Sequence, residues 1–149
     1  MKKNNLIYKE YTTSNYQNCL ELFELNCPSF FAKEEREDYQ KFLKSNNDLY
    51  LLGYKDNIFV CCFGITDQPK EICSISWIMV HPNFHHGGYG SEMISYILDY
   101  AKNKGKERIL IATSQHASSF FKKYGAKQLN YIKDGWGIGM DKIDMQITL

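Results

Sequence analysis

Apolar residues recur along the chain first at helical spacing and then with the shorter period of strands. Tyr16, Cys19, Leu20 and Phe23 share one helical face behind Ser14, a candidate cap, and the turn residues Asn26, Cys27 and Pro28 stop the pattern. A second helix is predicted from about Lys33, with Glu34 and Glu35 in its first turn, Lys41 and Lys44 in its last, and Tyr39, Phe42 and Leu43 turned inward. That charge order suits the helix macrodipole, and Ser45–Asp48 ends the helix. From Leu49 the period changes: Leu49–Tyr54, Ile58–Ile65 and Ile72–Val80 are β-rich runs separated by polar turns, an antiparallel meander. Gly88 to Lys104 is the clearest helix, with Met93, Ile94, Ile97, Leu98 and Ala101 on one stripe and Gly105 at its end. Arg108–Thr113 then reads as a strand, Ala117–Tyr124 as a short helix closed by Gly125, and Lys127–Lys133 and Lys142–Leu149 as two strands around a glycine-rich turn.

A strand, helix, strand crossover requires parallel pairing, so the predicted fold class is α+β, an antiparallel meander continued into a mixed sheet. With no repeat, low-complexity stretch or linker, residues 1–149 are expected to form one domain. Composition agrees: 149 residues, 44% hydrophobic and 15% aromatic, can bury roughly 70% of the unfolded surface without disulfides or a structural metal. The 18 Lys+Arg and 17 Asp+Glu nearly cancel, which argues against a general nucleic-acid binder. No apolar run reaches the roughly 20 residues that span a bilayer, and the start at Met1–Asn5 is polar, so a cytoplasmic protein with no membrane partner is expected. Cys19, Cys27, Cys61, Cys62 and Cys73 contain no C-x-x-C pair and read as reduced core residues.

The stretch from His81 to Ser91 leaves a strand and opens a helix through Gly87, Gly88 and Gly90. Glycines allow close approach of the backbone, and the free N–H groups of a first helical turn suit a pyrophosphate. Two common phosphate motifs are excluded by residue type: the nucleoside-triphosphate loop needs a lysine that is absent, and the dinucleotide loop needs a glycine at Met93.

His85-His86-Gly87-Gly88-Tyr89-Gly90, following Val80-His81-Pro82, resembles the acyl-CoA loop Q/R-x-x-G-x-G/A of the GNAT superfamily of N-acyltransferases. Ser114-Gln115-His116-Ala117, with Phe121, Gly125 and Ala126 beyond, is similar to that superfamily's Asn-x-x-Ala-x-x-x-Tyr-x-x-x-Gly-Phe. The segments Asn26–Phe31 with Glu34, Trp77–His81, Thr113–His116, Asp134–Met140 and Asp144-Met145 further resemble a group of small bacterial members whose substrates are undefined.

The resemblance implies about seven strands, largely antiparallel with a splayed parallel central pair, and about four helices. It implies an N-acetyltransferase that moves an acetyl group from acetyl-CoA to a primary amine of a small molecule or peptide, in a ternary complex, as a monomer or homodimer without a metal. Met79 and Val80 would contact the thioester through their backbone, and the cofactor would also meet His85, His86, Gly87, Gly88, Tyr89, Gly90, Ser91, Ser114 and Phe121. His85 stands where the superfamily has Gln or Arg, so cofactor binding is expected to weaken between about pH 6 and 8, around the reference histidine pKa.

Phe121 replaces the tyrosine that in many members protonates the thiolate; Tyr124, His116 and Ser118 are the alternatives. Glu34, Glu71 and His81 are the candidates for the base, each with an ordinary surface or turn role as the alternative. Phe30, Phe31 and Trp136 form a candidate acceptor wall, although Phe30 and Phe31 could equally staple the second helix to the core. Two rival readings stay open: an acyl-CoA-binding sensor or interaction protein without turnover, and a metal-binding protein built on His81, His85, His86 and His116.

Overall fold

The structure, a computed structural model, describes residues 5–45 and 48–149. The polar start at Met1–Asn5 and the helix stop at Ser45–Asp48 therefore lie partly outside the described residues. Strand β1 (Ile7–Glu10) leads through a 3-10 turn at Thr13–Asn15 into α1 (Tyr16–Leu25). This entry is capped by Thr12 and Asn15, whose Oδ1 accepts from the Thr12 N–H at 3.0 Å; Ser14, the expected cap, only pairs its hydroxyl with that of Thr12. A second 3-10 turn, Lys33–Glu35, precedes α2 (Arg36–Ser45), which buries Tyr39 and Leu43.

The meander forms as its alternation predicts: β2 (Leu49–Lys55), β3 (Ile58–Gln68) and β4 (Ile72–Val80) pair antiparallel. Then α3 (Tyr89–Asn103) crosses over to β5 (Arg108–Thr113), which lies parallel to β4. Helix α4 (Ser118–Lys122) is shorter than the expected Ala117–Tyr124. The N–H groups of Lys123 and Tyr124 return to carbonyls three residues back, which tightens that turn out of α geometry.

The last two strands exceed expectation, β6 (Lys127–Gly137) and β7 (Met140–Thr148), so Gly135 and Trp136 lie on a strand and the turn is only Ile138–Gly139. Side chains close it: Asp134 Oδ1 accepts from the Gly139 N–H, and Gln115 both donates to Gly139 O and accepts from the Asp141 N–H.

The seven strands run in the order β1-β2-β3-β4-β5-β7-β6. One face packs Phe63, Ile75, Ile111 and Phe121 with Met93 and Ile97 of α3. The other packs Tyr50, Leu52 and Cys62 beneath Phe23 of α1 and Tyr39 of α2. All five cysteines are free; four are buried and Cys27 is half-buried. Among the described residues no helix is long and apolar enough to cross a membrane.

Candidate active site

The parallel pair is incomplete. Ile72–Ile75 lie opposite Arg108–Ile111, and beyond Ile75 the strands part. A bulge in β4 starts the divergence: Met79 faces Cys62 and Ser76 faces Gly64, so Trp77 and Ile78 together oppose Phe63. Trp77 takes the left-handed conformation at φ +47°, unusual for a large side chain, and a bulge of this kind bends its strand. After it, the His81 N–H donates to Val60 O at 2.7 Å. Alternation then turns the backbone groups of Met79 toward β3 and those of Val80 toward the gap. The Val80 carbonyl is met there by Asn26 Nδ2 at 3.2 Å and His85 Nε2 at 3.1 Å; a carbonyl only accepts, so that ring nitrogen carries a proton.

The bulge has a brace. Tyr50, 2% exposed on β2, donates its hydroxyl to the Trp77 carbonyl at 2.8 Å and receives the Tyr39 hydroxyl at 2.8 Å. To reach β4 the Tyr50 ring must cross β3, and it does so over Gly64, where a Cβ would come within 3.0 Å of the ring and collide with Ser76 Oγ.

A cavity of about 670 Å³ occupies the gap and is lined from both faces of the sheet. Of the residues singled out in the sequence, Met79, Val80, His85, His86, Gly88, Tyr89, Gly90, Ser91, Ser114, His116 and Phe121 line it, as do Phe30, Phe31 and Trp136. Gly87, Glu34, His81 and Tyr124 do not, although the Tyr124 hydroxyl bonds Ser91 Oγ. Glu34 is exposed beside Gly137, His81 Nδ1 accepts from the Asn83 N–H, and Glu71 precedes β4 at the end remote from the gap. Ser118 is buried at the start of α4, outside the cavity lining.

On the α3 side, Gly88 caps the helix at φ +82°, a conformation that favours glycine. At Gly90 a Cβ would stand 2.9 Å from the Phe120 ring, so glycine there admits α4 against the first turn of α3. On the α1/α2 side, Phe31 packs tilted against Phe23 and stacks on Trp77, whereas Phe30 meets His85 edge-on; both line the cavity, and Phe31 also ties this segment to the core. Trp136 is fixed by donating its indole N–H to Thr113 O at 2.9 Å. Among the described residues no cluster of three or more His, Cys, Asp or Glu could hold a metal, and His116 and His85 face the cavity without such a set.

Glu35, read in the sequence only as a first-turn charge, lines the cavity. Glu35 is 5% exposed, and its Oε2 accepts from the Ala32 N–H at 2.8 Å. Burial, with Asp38 and Glu34 nearby, pushes its carboxyl up to about 7 against the bond from Ala32. The 3-10 turn explains the choice between adjacent acids: its three-residue period puts Ala32 and Glu35 inside together and Glu34 outside.

The sequence profile of the acetyltransferase (GNAT) family matches residues 19–126. Comparison with curated proteins finds no match. Among solved structures, the fold is similar to that of the ribosomal-protein-S18-alanine N-acetyltransferase from Escherichia coli, with TM-score 0.78 at 9% identity over 96% of this chain and 93% of that one. It is also similar to an aminoglycoside 6'-N-acetyltransferase complexed with coenzyme A, with TM-score 0.73 at 14% identity over 95% and 96% of the two chains. An acetyltransferase of the GNAT family from Streptococcus pneumoniae gives TM-score 0.68 at 20% identity over 97% and 99%. At such identities the likeness is one of fold.

Proposed function

The chain belongs to the acetyltransferase (GNAT) family, and from that premise we propose that it transfers an acetyl group from acetyl-CoA directly to a primary amine within a ternary complex. The observation that carries this reading is the cavity through the gap between β4 and β5, lined from both sheet faces. A thioester entering from the α3 side and an amine from the α1/α2 side would meet at the strand gap. Acetyl-CoA fits the residues present. The N–H groups of the first turn of α3, behind Gly88, suit its pyrophosphate, and the free edge of β4 suits pantetheine as an added strand. Coenzyme A in the similar aminoglycoside 6'-N-acetyltransferase supports the same donor.

In this reading the Val80 N–H, turned into the gap, steadies the carbonyl oxygen as negative charge develops on it. A positioned donor of that kind contributes about 3 kcal/mol in other oxyanion sites. Phe121, 3% exposed, has no proton for the thiolate, and a thiol with a reference pKa near 8.5 leaves without a dedicated acid. The acceptor end is aromatic, with Phe30, Trp77 and Trp136 around one acid, and suits an amine on a compact apolar body better than a polycation.

The test is thiol release from acetyl-CoA with 2-phenylethylamine, spermidine and kanamycin, after acetyl-CoA binding is measured by calorimetry. Release, fastest with 2-phenylethylamine, is the expected result. Binding with no release on any amine would favour the sensor reading.

A further inference from the structure

Resting on the acetyl-transfer reading, we propose that Glu35 is the catalytic base that takes the proton from the acceptor's ammonium group. Its position comes first. Glu35 lines the cavity from the face opposite the loop that opens α3, so it lies on the acceptor's side of the strand gap. Asn26 fixes the segment before it: its amide donates to Leu22 O and Val80 O, and its carbonyl accepts from the Phe30 and Phe31 N–H groups. The turn carrying Glu35 is thereby tied to the end of β4 where the thioester would sit.

The second argument is what the carboxylate is left with. Oε2 is held by the Ala32 N–H, while Oε1 makes no hydrogen bond with any described residue. Oε1 is not sealed in the core; it opens onto the cavity, where an ammonium group or a water can meet it. The groups that face it are Glu34 and Asp38 from its own segment and Cys27 from the preceding loop; His85, His86, Tyr89, His116 and Lys123 are the cavity's other titratable side chains. With no cation among the described residues paired to it, its carboxyl is pushed up to about 7 by burial, where the ionised fraction at neutral pH is large and the proton affinity is still useful.

The step balances. Glu35 takes one proton from R–NH3+, the freed nitrogen pair forms the C–N bond to the thioester carbon, and collapse of the tetrahedral adduct breaks the C–S bond. The second nitrogen proton ends on the departing thiolate, and Glu35 returns its proton to water. The products are R–NH–acetyl, CoA thiol and one released proton.

Capping is the rival role for Glu35, and Glu35→Gln separates the two because an amide oxygen still accepts from Ala32. With acetyl-CoA and the best amine of the panel above, Glu35→Gln is expected to lose about 100-fold or more in kcat/KM at pH 7. Its acetyl-CoA affinity should stay within about twofold of wild type.

The pH profile gives a signature no cap would. Wild-type kcat/KM should climb and level off above about pH 7, whereas the variant should keep climbing toward the amine's own pKa, about 10. Turnover by wild type with an undiminished variant overturns the base alone. If the variant does not fold, a wild-type profile that climbs through pH 7 without levelling overturns it. Acetyl-CoA binding with no release by wild type on any amine overturns the transfer reading and the base with it.

Discussion

Burial separates Glu35 from the acid beside it, and the separation has a thermodynamic consequence. Moving a carboxyl from 4.5 to about 7 makes its charged form about 3 kcal/mol less favourable in the fold than in the unfolded chain. The folded state holds this proton more tightly, so the contribution is fully present below pH 4.5 and is lost as pH rises through about 7. Urea unfolding should therefore show a loss on going from pH 5 to pH 8 that Glu35→Gln largely removes; an equal slope in the two proteins would contradict the burial argument. Element order placed Glu34 near the cleft, and charge pattern could not choose between the two acids, because in an α-helical first turn both favour the dipole equally. Only the phase of the 3-10 turn, set by the Ala32 cap, decides which one enters the cavity. The Phe30-Phe31 pair follows the same rule, type legible and facing not, whereas the cysteines read as reduced core residues and four of the five are buried.

At the scale of elements, periodicity located the helices, the meander and the crossover, and the turn that opens α3 was legible from its glycines. The bulge was not. Ser74-Ile75-Ser76-Trp77-Ile78-Met79-Val80 reads as unbroken strand, and nothing local demands that Trp77 take φ +47°. The demand is tertiary: Tyr50 from β2, across Gly64 of β3, holds the Trp77 carbonyl and is itself held by Tyr39 of α2. Tyr50→Phe leaves that buried carbonyl without its donor, a loss of about 1–3 kcal/mol. If the bulge aims the Val80 N–H, kcat should fall about tenfold or more while the dissociation constant of CoA changes little. A variant that loses stability but keeps kcat would reduce Tyr50 to a packing residue. The full length of β6 was missed for a similar reason, since Gly135 and Gly137 suggest a loop, whereas Asp134 and Asp141 within the hairpin and Gln115 from another part of the chain draw it closed.

For the whole molecule, the question is whether the acetyl group ever rests on the protein. A covalent relay needs a nucleophile at the gap, and cysteine thiolate is the usual one at neutral pH. Burial pushes the Cys19 and Cys61 thiols up to about 12, and burial with nearby acids pushes Cys27 up to about 11; Cys62 and Cys73 are raised as well. None of the five lines the cavity. The cavity is lined from both faces of the sheet, so in the proposed reading donor and acceptor approach from opposite sides and need not take turns. Initial rates measured against acetyl-CoA at several fixed amine concentrations should give intersecting reciprocal lines, and intact-mass measurement of protein held with acetyl-CoA alone should find no acetyl adduct. Parallel lines together with an acetylated protein would mean that a side chain other than these cysteines carries the group, and transfer would then not be direct.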